Sequence, residues 1–190
     1  MKLSEVEFRA MQSVWRKQGQ RYFELPMFQR MGLDVRDMDI LEIGCGSGYG
    51  AFLLNQLKPK SYIGIDLMEE QVALAREKYP QYHFTVQDAT DLGQFPDESR
   101  DVVIIFGALH HIPEWRKTVN EIARLLRPGG GLFLEEPRGV DIKFFDFLFR
   151  WGHPDSDFGL GALEDYTAIL GMQLIHRQWT PLLTLFHYQK

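Results

Sequence analysis

Asp101 to Phe106 read DVVIIF, a continuous apolar run after its first residue. A strand of this kind hides both faces, which places it inside a parallel sheet with helices on either side. From Asp39 onward, short Ile- and Val-rich runs alternate with longer amphipathic segments, a βαβ rhythm that predicts such a sheet. The predicted strands are Asp39–Ile43, Tyr62–Ile65, His83–Val86, Asp101–Phe106 and Leu132–Leu134. Predicted helices cover Tyr49–Leu57, Glu69–Tyr79 and Pro113–Leu126, the last with Pro113 in its first turn and a stop before Pro128 and Gly129. A short helix near Leu163–Leu170 precedes two apolar segments, Met172–Trp179 and Leu182–Tyr188. Only Thr180 and Pro181 separate these, too few for a crossover between parallel strands, so they should be antiparallel neighbours. Ahead of the core, Ser4–Met31 has a helical pattern broken at Gly19 and Pro26, which predicts two or three short helices. The expectation is an α/β fold, a doubly wound, mostly parallel seven-stranded sheet with an antiparallel C-terminal hairpin.

LEIGCGSGYGA, Leu41 to Ala51, runs a strand into Gly44, Gly46 and Gly48, where the backbone can turn tightly and approach a ligand closely. Alone, such a loop is as readily a plain strand-to-helix turn. Asp66 changes the reading. It ends the second predicted strand about 20 residues on, where a nucleotide-binding α/β fold puts a carboxylate that accepts ribose hydroxyls. The pair fits an adenosine. It does not separate S-adenosylmethionine from NAD, because Gly46, Gly48 and Ala51 also satisfy the dinucleotide form G-x-G-x-x-A.

The whole run of motifs resembles the class I S-adenosylmethionine-dependent methyltransferases, in particular the small-molecule group with an LHHIP-like segment and an LLRPGG turn. The resemblance rests on EIGCGSG at Glu42–Gly48, IGIDL at Ile63–Leu67, QDATDL at Gln87–Leu92, DVVIIFGALHHIP at Asp101–Pro113 and LLRPGGGLFLEE at Leu125–Glu136. It implies a Rossmann-like fold, S-adenosylmethionine as cofactor and S-adenosylhomocysteine as product. It also implies the roles of individual residues. Glu42 and the backbone of Gly44, Cys45 and Gly46 would surround the methionine moiety, with Gly48 closing the loop. Asp66 would hold the ribose and Leu67 pack on the adenine. Asp88 would accept from the adenine amino group, with the Ala89 backbone at the ring edge, while Phe106 and Gly107 line the site beside the sulfonium. Seen alone, Asp88 is a turn residue.

Methyl transfer from a sulfonium has a neutral leaving group, so alignment supplies most of the catalysis and no universal catalytic residue is needed. His110 and His111, after the fourth strand, are the candidate general bases for an acceptor that must lose a proton. Their alternative role is to shape the loop. A metal site is not expected, since adjacent strand histidines point to opposite faces and no ligand spacing accompanies them. Glu135 and Glu136 end the fifth strand on the same edge and read more readily as a solvated strand end. The aromatic stretch Ile142–Gly152, holding Phe144, Phe145, Phe147, Phe149 and Trp151, reads as core packing, a lid over a lipophilic acceptor, or a dimer contact.

The length of 190 residues suits one domain. Within it, 1–38 would cover the site, 39–136 hold the cofactor, 137–171 face the substrate and 172–190 form the hairpin. A net charge of -5 and a pI near 5.7 argue against a nucleic-acid partner. With a single cysteine and no apolar leader, the expected location is the cytoplasm, without a membrane partner. The acceptor is expected to be a small molecule, and the aromatic stretch leaves a homodimer open. The competing functions are a cofactor-binding regulatory protein without turnover and an NAD-dependent oxidoreductase. No Tyr-x-x-x-Lys constellation supports the latter.

Overall fold

The computed structural model describes residues 13–137 and 157–190. The expected start of the N-terminal helices, residues 4–12, and the aromatic stretch Phe144–Trp151 lie outside the described residues.

Among the described residues seven strands form one sheet, β1 Asp39–Ile43, β2 Ser61–Asp66, β3 His83–Val86, β4 Arg100–Phe106, β5 Leu126–Pro137, β6 Gln173–Trp179 and β7 Leu183–Gln189, in the order β3-β2-β1-β4-β5-β7-β6. Strands β3 to β5 of that order are parallel, whereas β7 is antiparallel to both β5 and β6. The short Thr180–Leu182 link forces the β6–β7 hairpin, as its length predicts. β5 is longer than Leu132–Leu134. Between the pairs Arg100↔Leu126 and Val102↔Gly131 it forms a bulge that takes in the Pro-Gly-Gly turn.

The two faces of the sheet carry separate apolar layers. Val102, Ile104 and Phe106 of β4 pack with Phe28, Leu53 and Phe84 on one face. Val103 and Ile105 pack with Trp115, Val119 and Ile122 on the other. β4 alternates between two buried layers, which is why its sequence is apolar throughout. On the first face lie α2 (Leu25–Arg30), α3 (Tyr49–Asn55) and α4 (Glu69–Lys78), while α1 (Val14–Gly19) buries no residue and meets the sheet at its edge through Arg16. On the second lie α5 (Trp115–Leu125) and α6 (Leu160–Ile169).

The N-terminal segment departs from expectation. Gly19 does not break the helix, having helical φ and ψ of -55° and -52°, and a π-turn, Gln20–Glu24, joins α1 to α2. Pro26 lies in the first turn of α2, where a missing N–H is tolerated. The widened turn removes the need for a break.

Strand register positions the functional edge. Ile43 of β1 pairs with both Ile65 and Ile105, and Phe106 pairs with Glu135, so β1, β2, β4 and β5 end side by side. The chain leaves β1 for β2 in one direction and reaches β4 in the other. A crevice opens at this switch point, outside the carboxyl ends of the strands.

Trp115 anchors the segment that borders this crevice, for it is fully buried at the start of α5 and donates from Nε1 to Asp157 Oδ1 at 3.0 Å. Trp115→Ala should lower the unfolding free energy by about 3–5 kcal/mol in urea titration; a loss below about 1 kcal/mol would contradict this anchoring.

Candidate functional site

The loop after β1 folds onto the end of β2. Gly44 N–H and Cys45 N–H both donate to Ile65 O, at 2.9 and 3.0 Å, and Gly46 N–H donates to Asp66 Oδ2 at 2.9 Å. Asp66 Oδ1 accepts from Met68 N–H at 2.9 Å. Gly44 has φ +71°, and a Cβ there would collide with the Cβ of Ala108. Gly48 has φ +85° and packs so closely that a Cβ would meet Phe84 at 2.9 Å. Glycine is required at both positions by conformation and by space.

A cavity of about 280 Å³ opens above this loop. Gly44, Gly46, Asp66 and Leu67 line one side, while Asp88, Ala89, Phe106 and Gly107 line the rest together with His111. A smaller lobe of about 40 Å³ adjoins it, bounded by Glu42, Cys45, Gly46, Arg16 and Gln71. Gly48 borders neither and acts in packing. Asp88 is exposed and accepts from the Thr90 N–H and hydroxyl at 2.8 and 2.7 Å, so the turn geometry and the position on the cavity coexist in one residue.

The acids on this edge are buried. Glu42 is 2% exposed and accepts from the Tyr62 hydroxyl at 2.5 Å; burial pushes its pKa up to about 8. Glycine at position 50 makes room for it, since a Cβ there would collide with the carboxylate. Burial also raises Asp66, against the pull of its backbone N–H donors. Glu135 and Glu136 are not a solvated strand end, being 2% and 0% exposed. Glu136 accepts from Leu109 N–H at 2.9 Å and pairs with His110 Nδ1 at 2.6 Å, and burial pushes it up to about 8. Glu135 is raised by burial and by Glu24, and accepts from Arg16 Nη2 at 3.0 Å.

The histidines separate. Leu109–His111 is a 3-10 turn rather than extended strand, and the two rings lie 4.0 Å apart, so the alternation of a strand does not govern them. His110 is buried against Glu136, while His111 borders the cavity.

Residues 41–134 match the family described as a methyltransferase domain. The chain belongs to the class I S-adenosylmethionine-dependent methyltransferases. It is 40% identical over 101 residues to the phthiotriol/phenolphthiotriol dimycocerosates methyltransferase of Mycobacterium tuberculosis, covering 52% of this chain and 37% of that protein. It is 35% identical over 108 residues to a fatty-acid O-methyltransferase of Mycolicibacterium smegmatis, covering 55% and 39%. The chain thus spans less than half the length of these curated relatives. Among solved structures, an S-adenosylmethionine-dependent methyltransferase of Mesorhizobium loti superposes with a TM-score of 0.78 at 17% identity, covering 88% of this chain and 97% of that one. At that identity the likeness speaks for the fold.

The residues fit the family's cofactor. The loop offers a cradle at Gly46, where a Cβ would stand in open space 4.0 Å from Gln71 Oε1, a carboxylate stands at the end of β2, and a lobe bordered by Glu42 lies beyond Gly46. One participant carries no motif. Arg16 of α1 reaches the sheet edge, where its Nη2 donates to Phe106 O at 3.3 Å and to Glu135, while its Nη1 pairs with Glu24. Burial opposes its charge, and Glu135 and Glu24 outweigh that, raising its pKa. Arg16 stands in a segment legible only as an amphipathic helix. Among the described residues no helix is long and apolar enough to cross a membrane.

Gly44→Ala combines a positive φ with a clash. It should cost about 1–3 kcal/mol in denaturant unfolding; unchanged stability would show that the loop tolerates a side chain there. The raised carboxylates set a pH dependence. Glu42 and Glu136 hold protons in the folded state that the unfolded chain releases above about pH 4.5, so their contribution is full below that value and is lost as pH rises through about 8. Thermal melts should fall between pH 6.5 and 8, by up to about 1.4 kcal/mol per pH unit for each carboxylate. Glu42→Gln should flatten the slope, and an equally steep variant would refute the assignment to Glu42.

Proposed function

We propose that this chain transfers a methyl group from S-adenosylmethionine to a small-molecule acceptor by in-line displacement, releasing S-adenosylhomocysteine. The observation that carries the reading is the Asp66 carboxylate, which holds the glycine loop through Gly46 N–H and opens on the larger cavity. A carboxylate at that place accepts ribose hydroxyls. Asp88 and Ala89, farther along the cavity, take the adenine edge, with Leu67 against the ring. Glu42 and the loop backbone from Gly44 to Gly46 take the amino-acid end in the smaller lobe.

When bound, the cofactor supplies a methyl group on a sulfonium that departs as a neutral thioether. The protein's work is then alignment. Phe106 and Gly107 form the wall where the two lobes face the acceptor, and Arg16 fixes the Phe106 carbonyl. His111 borders the cavity and is the candidate for accepting a proton from the acceptor. His110, paired with Glu136, positions the turn that carries it. The likeness to a fatty-acid O-methyltransferase supports a lipophilic acceptor.

The oxidoreductase reading is disfavoured by topology. The dinucleotide fold runs 3-2-1-4-5-6 with parallel strands, whereas β7 here enters antiparallel between β5 and β6.

Calorimetric titration with S-adenosylmethionine, S-adenosylhomocysteine and NAD tests the proposal. Both sulfur compounds should bind, NAD should not, and Asp66→Ala should weaken binding by about tenfold or more, the equivalent of about 1.4 kcal/mol. Binding of NAD alone would reject the reading. Cofactor binding without thioether release in the presence of fatty acids and other small acceptors would favour the regulatory alternative.

A further inference from the structure

We propose that the N-terminal helix docks on an anionic lipid surface, with Trp15 and Tyr22 at the level of the headgroups and Arg21 against their negative charge. Residues 14–30 are helical throughout, as α1, the π-turn and α2, and the segment has two sides. Inward, Leu25 and Phe28 join the core, and Arg16 and Glu24 form the buried pair at the sheet edge. Outward, Val14, Trp15, Gln18, Arg21, Tyr22 and Phe23 are exposed, Trp15 at 87%, Val14 at 68% and Tyr22 at 67%. Helical spacing puts Val14, Trp15, Gln18, Arg21 and Tyr22 on one stripe. α1 buries none of its residues, so core packing does not account for the apolar side chains it carries. A contiguous apolar patch left in water marks a contact surface.

The charge of this face selects the partner. From Val14 to Arg30 the only acid is Glu24, which is 2% exposed and paired with Arg16. Arg21 and Arg30 are exposed, and the Arg21 guanidinium lies 5.4 Å over the Tyr22 ring, so cation and aromatic occupy one place. Lys17 is half-buried, with its ammonium 5.5 Å over the Tyr49 ring. The chain as a whole carries a net charge of -5, so a basic and aromatic face without an exposed acid is a local exception that complements a negative surface. Trp and Tyr suit the headgroup level, where one end of the ring is apolar and the other wet, and each cation near an anionic leaflet adds attraction. A second copy set against the same face about a two-fold axis would oppose Arg21 to cations and meet no exposed acid. Docking of this kind needs neither an apolar leader nor a spanning helix, and it departs from the expectation of no membrane partner that the lack of such a leader suggests.

The docked face is tied to the site through the helix itself. Arg16 and Gln20, on its inner side, border the smaller lobe of the crevice. The crevice then lies about one helix diameter, roughly 10 Å, from the lipid. A lipophilic acceptor would enter from the bilayer; that consequence rests on the function proposed above, whereas the docking does not.

Flotation of the ligand-free protein with vesicles of phosphatidylcholine alone, and of phosphatidylcholine mixed with phosphatidylglycerol, tests the docking. The wild type should bind the mixed vesicles at least about tenfold more tightly than the neutral ones and lose that preference in high salt. The double variant Trp15→Ala/Tyr22→Ala and, separately, Arg21→Glu should each bind the mixed vesicles about tenfold more weakly and melt as the wild type does, because these side chains are exposed. Absence of wild-type binding, equal binding to both kinds of vesicle, or variants that bind as the wild type does would overturn the proposal. Variants that melt markedly lower would show the face packed within the chain, and a wild-type dimer in sedimentation that both variants dissociate would assign the face to a second copy; either result also overturns it. Because no cofactor is present, failure here leaves the methyl-transfer reading standing, and failure to bind S-adenosylmethionine leaves the docking standing.

Discussion

Three successive backbone N–H groups, those of Gly44, Cys45 and Gly46, end on the last two residues of β2. The site depends on this tie. Because the carbonyl of Ile65 takes two donors and the Asp66 carboxylate the third, the loop cannot swing away from β2, and Asp66 cannot rotate away from the crevice. The same geometry drives Gly44 against Ala108, which locks the segment after β4 to the segment after β1. Three strand ends are thereby held as one surface by contacts within the protein, so the cradle exists before anything enters it.

Against that neutral scaffold stands a concentration of buried acids. Glu42, Glu135 and Glu136 come from β1 and β5, and Asp66 from the end of β2. Desolvation raises all four, and Arg16 reaches Glu135 directly. Burying carboxylates this way is unfavourable for folding. Of the four, only Asp66 and Glu42 border the cavities, and Glu135 and Glu136 are met from within the protein by Arg16 and His110.

Much of the fold was legible because it rests on backbone periodicity. β1 and β3 occupy the predicted residues, and α4 differs by one at its end. β5 was longer than expected because its Pro-Gly-Gly stretch, which signals a turn, is absorbed as a bulge. The cofactor-side candidates gather on one edge because strand ends in register must converge there. Side-chain burial was less legible. Two adjacent glutamates at a strand end look solvated in sequence, and their burial depends on Arg16 and His110, which come from distant segments. The π-turn at Gln20–Glu24 has no periodic signature that would distinguish it from a break.

Arg16 gives the two halves of the site a common origin. It pairs with Glu24 of its own helical segment and, across the crevice, with Glu135 and the Phe106 carbonyl of the sheet. Glu24 is brought to Arg16 by the π-turn, so the irregular helix has a structural consequence at the sheet edge. The placement of the N-terminal helix is therefore set at the end of the crevice where Phe106 and Gly107 stand, rather than by apolar packing alone. An acceptor pocket that uses this helix is built outward from the reacting end. Changes elsewhere along the helix can then alter which acceptor is admitted while the Arg16 contact keeps the helix referenced to the cofactor.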